Sequence, residues 1–451
     1  MRMRWVVVFI LWAILFGGRA LAQEPSLLTL EESIKIALDR NLKLQFASAG
    51  VAGSEFRQKS ALTQFFPTWT GQYGYTRNDS LTTIVSGQSI RITDPGPPPT
   101  TVTRTFPSET SRDTYAFSTN ISQPLYAGGS ISANYRSEIL GVDLSKSNVE
   151  TVKRDLVLQV RTGYYNIITA QKVLEVAEQA VKQFEAQLEV AKAFFEVGIV
   201  AKNDVLQAEV RLANAKQNQV RADNTLALTK SSFNNLLRRN INAPLNVVDI
   251  LDYKPSGYTL ENSFEEALRQ RPEIKSANLN VDQALEAVKI ARSGYFPTIS
   301  LAGNYNKTSD EGHLNPDNRW TERWSVQALA SIAFSDWWRL GYKVGESKVK
   351  VAQAQDTKNQ VIDNVILEVK QNYINMAQSE KNIGVAQKSI EQAEENVRLN
   401  EERYKYQVAT ATDVLDAVTL LAQARLNYYT ALSDYNIAKA SLERAMGRMY
   451  P

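Results

Sequence analysis

Phe66-Pro67-Thr68-Trp69-Thr70-Gly71-Gln72-Tyr73-Gly74-Tyr75 decides how this chain folds, because it recurs 230 positions later as Phe296-Pro297-Thr298-Ile299-Ser300-Leu301-Ala302-Gly303-Asn304-Tyr305. After each Phe-Pro pair the residues alternate with period two, the spacing of a strand whose two faces meet different surroundings. Trp69, Gly71, Tyr73 and Tyr75 fall on one face and Thr70, Gln72 and Gly74 on the other; Ile299, Leu301 and Tyr305 oppose Ser300, Ala302 and Asn304. Two more stretches behave alike. Tyr115, Phe117, Thr119 and Ile121 oppose Ala116, Ser118, Asn120 and Ser122, while Trp324, Val326, Ala328, Ala330 and Ile332 oppose Ser325, Gln327 and Ser331, with Leu329 interrupting the polar face. Strands are therefore expected at about 68–77, 114–123, 298–307 and 322–332.

Strands of about ten residues, aromatic and apolar outside and small and polar inside, are the pattern of a membrane barrel around a wet lumen. On that reading Trp69, Tyr73, Tyr75, Tyr115, Phe117, Ile121, Ile299, Leu301, Tyr305, Trp324 and Val326 face lipid, and Phe66, Pro67, Phe296 and Pro297 mark the passage from helix to barrel. A soluble sheet packed on one face would write any single strand the same way. Single-chain barrels start at about eight strands, and an open sheet edge cannot face lipid. Several chains must then contribute, and the geometry admits two, three or more.

The duplication extends well beyond the strands. Thr29-Leu30-Glu31, Ser33 and Ala37-Leu38 recur, again 230 on, as Thr259-Leu260-Glu261, Ser263 and Ala267-Leu268. Later the shift is 209: Leu158, Val160, Tyr164 and Asn166 match Leu367, Val369, Tyr373 and Asn375, and Asp204-Val205-Leu206 with Ala208 matches Asp413-Val414-Leu415 with Ala417. The 21-residue difference falls between 76 and 113, where Asp94-Pro95-Gly96 and Pro97 to Pro99 indicate a loop. The chain thus divides into repeat 1 at 28–240, a linker at 241–257 and repeat 2 at 258–447.

Outside the strands the period is helical. Val160, Tyr164, Ile167, Leu174, Ala177, Val181, Phe184, Leu188, Ala191 and Phe195 step by threes and fours with Gln171 the polar intruder, a coiled-coil seam. Its partner carries Val205, Ala208, Leu212, Ala215, Ala222, Leu226 and Phe233, and the second half repeats the run as Val414, Ala417, Leu421, Ala424, Tyr428, Ala431, Tyr435, Ala438 and Leu442. One helix from Asn134 to Val197 would be roughly 90 Å long at 1.5 Å per residue, a reach across a compartment rather than a globular core.

Composition narrows the function. Arg2 and Arg4, the apolar run from Trp5 to Phe16, and Ala20-Leu21-Ala22 have the layout of a cleavable signal peptide at 1–22. With Arg19, these arginines account for the whole net charge of +3, and removing the three from 51 basic residues leaves 48 against 48 acidic. No nucleic-acid footprint follows. No later apolar run approaches the ~20 residues of a spanning helix. There is no cysteine to staple the fold or carry a lipid, and the single histidine, His313, lies in the polar stretch 309–318. No zinc cluster, cofactor site, Ser-His-Asp set or phosphate loop can be assembled, so catalysis is not expected.

Taken together the duplicated Phe-Pro-Thr, the turn Gln123-Pro124-Leu125-Tyr126-Ala127-Gly128-Gly129 and the Asp-Val-Leu-x-Ala pattern resemble the outer-membrane efflux protein family, over nearly all of residues 28 to 447. The resemblance implies a mixed α and β membrane protein, a homotrimer in which four strands per chain make one twelve-stranded outer-membrane β-barrel above a long α-helical coiled-coil periplasmic barrel. It implies a passive duct to the cell exterior, with a periplasmic adaptor and an inner-membrane pump as partners. Phe334-Ser335-Asp336-Trp337-Trp338 replaces the Pro-Leu-Tyr-Ala-Gly-Gly form in the second half.

By the same resemblance Asp413 and Asp416 ring the periplasmic entrance, where acidic rings favour cations, and a Tyr404–Asp204 hydrogen bond helps hold the gate closed. The arginine and threonine of a second family link are here Ala409 and Asn203. Val197, Gly198, Val205, Leu206, Val414 and Leu415 would dock the adaptor. Other roles compete for these residues: Asp413 and Asp204 suit helix starts, with Thr410 or Thr412 as cap, Tyr404 suits the coiled-coil seam, and the tips are turns that must exist anyway. Asp416 has Gln207 as its repeat partner, so no shared helix start accounts for it. A periplasmic coiled-coil adaptor or scaffold is the alternative function; it leaves four alternating strands without a purpose.

Overall fold

The computed structural model describes residues 27–79, 83–91, 101–109, 113–309 and 320–449. The signal segment at 1–22, the Asp94 to Pro99 run and His313 lie outside them. In chain order the elements are β1 (Leu27–Leu28), α1 (Leu30–Arg40), α2 (Leu42–Thr63), β2 (Thr68–Arg77), β3 (Thr83–Arg91), β4 (Thr101–Glu109), β5 (Asp113–Ala127), α3 (Ser130–Glu196) and α4 (Lys202–Leu236). There follow β6 (Asn246–Val247), α5 (Leu260–Gln270), α6 (Pro272–Ser293), β7 (Thr298–Ser309), β8 (Thr321–Ser331), α7 (Trp337–Lys405) and α8 (Ala411–Ala445). Helices of 11, 22, 67 and 35 residues are followed by helices of 11, 22, 69 and 35. Among the described residues no helix is long and apolar enough to cross a membrane.

Two compact units result. The first comprises 27–51, Leu144–Asn278 and 356–449; the second comprises Ala52–Asp143 and Leu279–Gln355.

In the second unit a sheet runs β2-β5-β7-β8, antiparallel throughout, which leaves β2 and β8 each with one free edge. Directly paired residues share a face, and the register gathers the aromatic set on one side. Trp69 pairs with Ile121, Tyr73 with Phe117, Tyr75 with Tyr115, and Tyr305 with Trp324. Gly303 pairs with both Ile121 and Val326. On the opposite side Gln72 pairs with Ser118, and the Asn120 amide donates to Asn304 Oδ1 at 2.9 Å. Trp69 is 77% exposed and Val326 66%, so among the described residues nothing covers the apolar side there. Phe66-Pro67 sits between the end of α2 at Thr63 and the start of β2 at Thr68, and Phe296-Pro297 between the end of α6 at Ser293 and the start of β7 at Thr298.

Two expectations change here. The segment from 76 to 113 is not simply a loop: β3 and β4 pair from Thr83↔Glu109 to Arg91↔Thr101 as a two-stranded ribbon. Thr83, Ile84, Val85, Val102, Thr103 and Thr105 are β-branched, and such side chains favour extended pairing on either side of a proline run. Nor is 123–129 a turn from its start. Strand β5 continues through Ala127, with its register to β7 shifting between Pro124 and Tyr126, next to a proline that has no N–H to give the ladder. The reversal is confined to Gly128 (φ +61°) and Gly129 (φ +84°). A Cβ on Gly128 would stand 2.3 Å from the Ser293 carbonyl oxygen, so only glycine fits. The second half solves the same junction with a 3₁₀ turn at Phe334–Asp336 leading into α7.

The first unit is helical. The seam residues Val160, Tyr164, Ile167, Val181, Phe184, Leu188 and Ala191 are buried as their spacing predicts, while Phe195, in the final turn of α3, is exposed. Thr29 caps α1 in a reciprocal box with Glu32, and Thr259 caps α5. The linker is held in place: β6 pairs in parallel with β1, and the Tyr164 hydroxyl lies 3.0 Å from the Leu28 carbonyl oxygen and 2.9 Å from that of Val248.

Around the buried Arg271 side chain a partly exposed ionic cluster joins the halves of the sequence. Arg271 bonds Glu273 and Glu368, and Arg444 bonds Asp155, Glu273 and Glu368.

Candidate functional site: the helix tips

Two turns carry the residues singled out from the sequence, one between α3 and α4 and one between α7 and α8. The first closes on Gly198 (φ +76°), whose N–H donates to the Phe195 carbonyl while that of Ile199 reaches the Phe194 carbonyl. The second closes on Gln407, 209 positions later, held at φ +59° without the freedom of glycine. Val408 N–H donates to the Arg403 carbonyl at 2.8 Å, the same closure.

Thr410 is the N-cap of α8. Its N–H donates to Asp413 Oδ2 at 2.8 Å, and Asp413 N–H donates to its hydroxyl at 3.3 Å, a complete capping box. The hydrogen bond from the Thr410 backbone, then that from its hydroxyl, hold the Asp413 carboxyl below the usual aspartate range, with Arg403 adding to the effect. Asp413 therefore acts as a helix start while its carboxylate stays exposed and charged. In the first half Ala201 occupies the cap position and offers no side-chain bond, so Asp204 has no such box.

Asp416 is also exposed, and it is paired: Arg211 on α4 donates to its Oδ1 at 2.7 Å. One turn nearer the tip the Thr412 hydroxyl donates to Gln207 Oε1 at 2.6 Å. Nothing in the sequence period singles out Arg211; its partner lies 205 residues away.

Tyr404 does not make the expected bond to Asp204. It is 5% exposed, its ring lies 5.4 Å from that of Phe194, and its buried hydroxyl has no hydrogen-bond partner among the described residues. Burial first, and then the charge of Asp204, push its ionisation up. A buried hydroxyl without a partner costs about 1–3 kcal/mol. Tyr404→Phe is therefore expected to leave thermal stability unchanged or to raise it by about 1 kcal/mol; a loss above about 1 kcal/mol in heat or urea unfolding would mean the hydroxyl has a partner.

The docking set divides. Val197, Gly198 and Leu206 are exposed and Val205 is half-buried, but Val414 and Leu415 are 1% and 2% exposed. Consecutive residues at the start of a helix flanked by packed neighbours both turn inward here: Val414 meets Tyr404 and Ala411, and Leu415 enters the cluster with Leu188, Ala191 and Val418. These two cannot offer side chains to a partner. Ile199, Tyr406 and Val408 are exposed on the same two turns.

The sequence model of the outer membrane efflux proteins matches residues 33–237 and 264–448. Among curated proteins, the outer membrane protein TolC of Vibrio cholerae is 22% identical over 341 residues, covering 73% of this chain and 76% of that one. The alkaline protease secretion protein AprF of Pseudomonas aeruginosa is 24% identical, covering 76% and 72%. Among solved structures, CusC, described forming a transmembrane channel, superposes with a TM-score of 0.77 at 18% identity, covering 93% of this chain and 92% of the other. At these identities the structural likeness speaks for the fold.

Proposed function

The chain belongs to the outer membrane efflux protein family, and from that premise we propose that it is the outer-membrane duct of an efflux or type I secretion machine. It works as a conduit without chemistry of its own. The observation that carries the reading is the sheet: four strands with every large aromatic on one bare face, small polar residues on the other, and two unpaired edges. Such edges are stable in lipid only when closed by further copies. Three copies would supply the twelve strands that the family resemblance implies. A scaffold or adaptor gives no account of a bare apolar sheet face. The matched helix lengths support a duplicated unit, repeat 1 at 28–240 and repeat 2 at 258–447 around the linker 241–257, and residues 1–22 serve as its export signal.

Solutes enter at the helix tips and leave through the barrel. Asp413, Asp416, Asp204 and Tyr404 lie at the periplasmic gate, and the exposed Val197, Gly198, Ile199, Leu206, Tyr406 and Val408 receive the adaptor, through which an inner-membrane pump supplies the energy. The test is single-channel current from the purified mature protein in planar bilayers. A small cation-preferring conductance is expected, with the preference lost in the Asp413→Ala, Asp416→Ala double variant, because acidic rings concentrate cations. No current from a folded, bilayer-inserted protein would overturn the duct.

A further inference from the structure

Three helices of the second unit, α3, α6 and α7, each turn one stripe of side chains toward a groove of about 690 Å³. Contacts near the sheet fix how these stripes line up. A Cβ on Gly128 would meet the Ser293 carbonyl, Gly294 lies against Leu340, and the Gln283 side-chain amide donates to the Ser137 carbonyl at 3.0 Å. Counting eight residues on from the first two contacts puts Arg136 level with Leu285, and Lys348 level with Glu286. Arg292 and Lys289 stand nearer the sheet; Ile139, Leu140 and Val351 stand farther from it. The groove is thus divided along its length. Its upper half is basic. Lys289 is occupied, 2.6 Å from the buried Glu286, but the side chains of Arg136, Arg292 and Lys348 have no ion pair or hydrogen bond among the described residues. The lower half is apolar and open enough to leave Leu285 45% exposed, with the acid Asp282 beside it.

We infer that this groove binds a soluble anionic amphiphile, its acid group among Arg136, Arg292 and Lys348 and its apolar body along Ile139, Leu140, Leu285 and Val351. The volume lies within the roughly 300–1,000 Å³ of small-molecule sites. Charge sets the direction of binding, since the cations attract the head at one end and Asp282 repels it at the other. A bilayer phospholipid does not fit, because its chains would run toward the sheet and leave the apolar half of the groove bare. That choice of occupant rests on the duct reading, in which the sheet lies in lipid; the binding itself does not. An occupant touches all three helices, so it stabilises the folded state in proportion to its affinity.

The probes are hexanoate, octanoate and decanoate, titrated calorimetrically into the mature protein in nanodiscs with empty nanodiscs subtracted. One saturable site per chain is expected, tightening about fourfold for each methylene that enters the groove and weakening with salt. Decyltrimethylammonium should show no such site. Arg136→Gln with Lys348→Gln is expected to weaken decanoate about tenfold, each exposed charge being worth up to about fivefold, while Arg136→Lys with Lys348→Arg keeps the parental affinity. Leu285→Ser should flatten the dependence on chain length. No saturable site, equal binding of the cationic probe, or parental affinity in the glutamine variant would each overturn the inference. Native mass spectrometry of protein extracted from membranes separates the two sources of such a ligand. A phospholipid held by the parent, lost from the glutamine variant and displaced by decanoate would make the occupant a bilayer lipid and overturn the soluble one. Binding without conductance keeps the groove and overturns the duct; conductance without binding does the reverse.

Discussion

Replacing Arg271 with alanine is expected to cost about 3–5 kcal/mol of stability, because breaking a buried ion pair by removing one partner leaves uncompensated charge in a poorly solvated place. The Arg271 side chain is 3% exposed and lies 2.8 Å from Glu273 and 2.5 Å from Glu368, with a further bond to the Ala445 carbonyl. After the substitution two glutamates must share Arg444, which also serves Asp155. Burial by itself would push the Glu273 carboxyl up, but the hydrogen bonds and charge of Arg271, together with Arg444, outweigh it and hold the group below the ordinary glutamate range. A lowered folded-state pKa stabilises at pH values above the unfolded value, and that contribution disappears as pH falls through the lowered one. The parent should therefore lose stability on acidification from about pH 4 downward. In Arg271→Ala, where burial has fewer opponents, Glu273 takes up its proton at higher pH and that acid limb flattens. Circular dichroism melts at a series of pH values check both statements. A loss under about 1 kcal/mol, or an unaltered acid limb, would show the cluster to be dispensable.

How much of this was readable in advance follows from how far each signal reaches along the chain. Alternation is local, so Trp69, Tyr73, Phe117, Ile121 and Trp324 could be put on one face before any strand was paired, and the register gathers them there. Helical periodicity is local too, which is why the buried Val160, Tyr164, Ile167 and Leu188 were legible. Period gives a face but not what covers it. The family pattern puts Val414 and Leu415 on a docking surface although both are enclosed by neighbouring helices, and consecutive positions at a helix start leave the inward direction undetermined until those neighbours are placed. Side-chain partners distant in sequence left no trace: Arg211 with Asp416, or Arg271 and Arg444 around Glu368, have no spacing that announces them. The β3–β4 ribbon was hidden for another reason, since prolines at 95 and 97–99 make a loop the natural reading while the β-branched residues that pair lie outside the proline run. The gate was the least legible part. A family pattern places Tyr404 beside Asp204, but whether a bond forms depends on ångström-scale packing against Phe194.

Val326→Arg and Gln327→Arg should differ far more than two adjacent exposed positions on an ordinary sheet would. Val326 stands mid-strand in β8 opposite Gly303, which has no side chain to shelter it, and it shares the face of Trp324 and Tyr305. Gln327 stands opposite Ala302 on the face of Ser325, Asn304 and Asn120. If the aromatic face meets hydrocarbon, an arginine at 326 costs about 2–4 kcal/mol per chain near the bilayer midplane, and in a barrel shared by several copies the cost recurs with each copy. An arginine at 327 points into water and should stay within about 0.5 kcal/mol. The yield of folded, heat-resistant oligomer recovered from the outer membrane gives the comparison, with soluble helical content as a control that the first unit still folds. Collapse of the yield for Val326→Arg beside a near-parental Gln327→Arg requires lipid on the aromatic side and water on the other, the two conditions a conduit through the membrane must satisfy together. Equal behaviour would place both faces in water and leave the unpaired edges of β2 and β8 to be explained by some other partner.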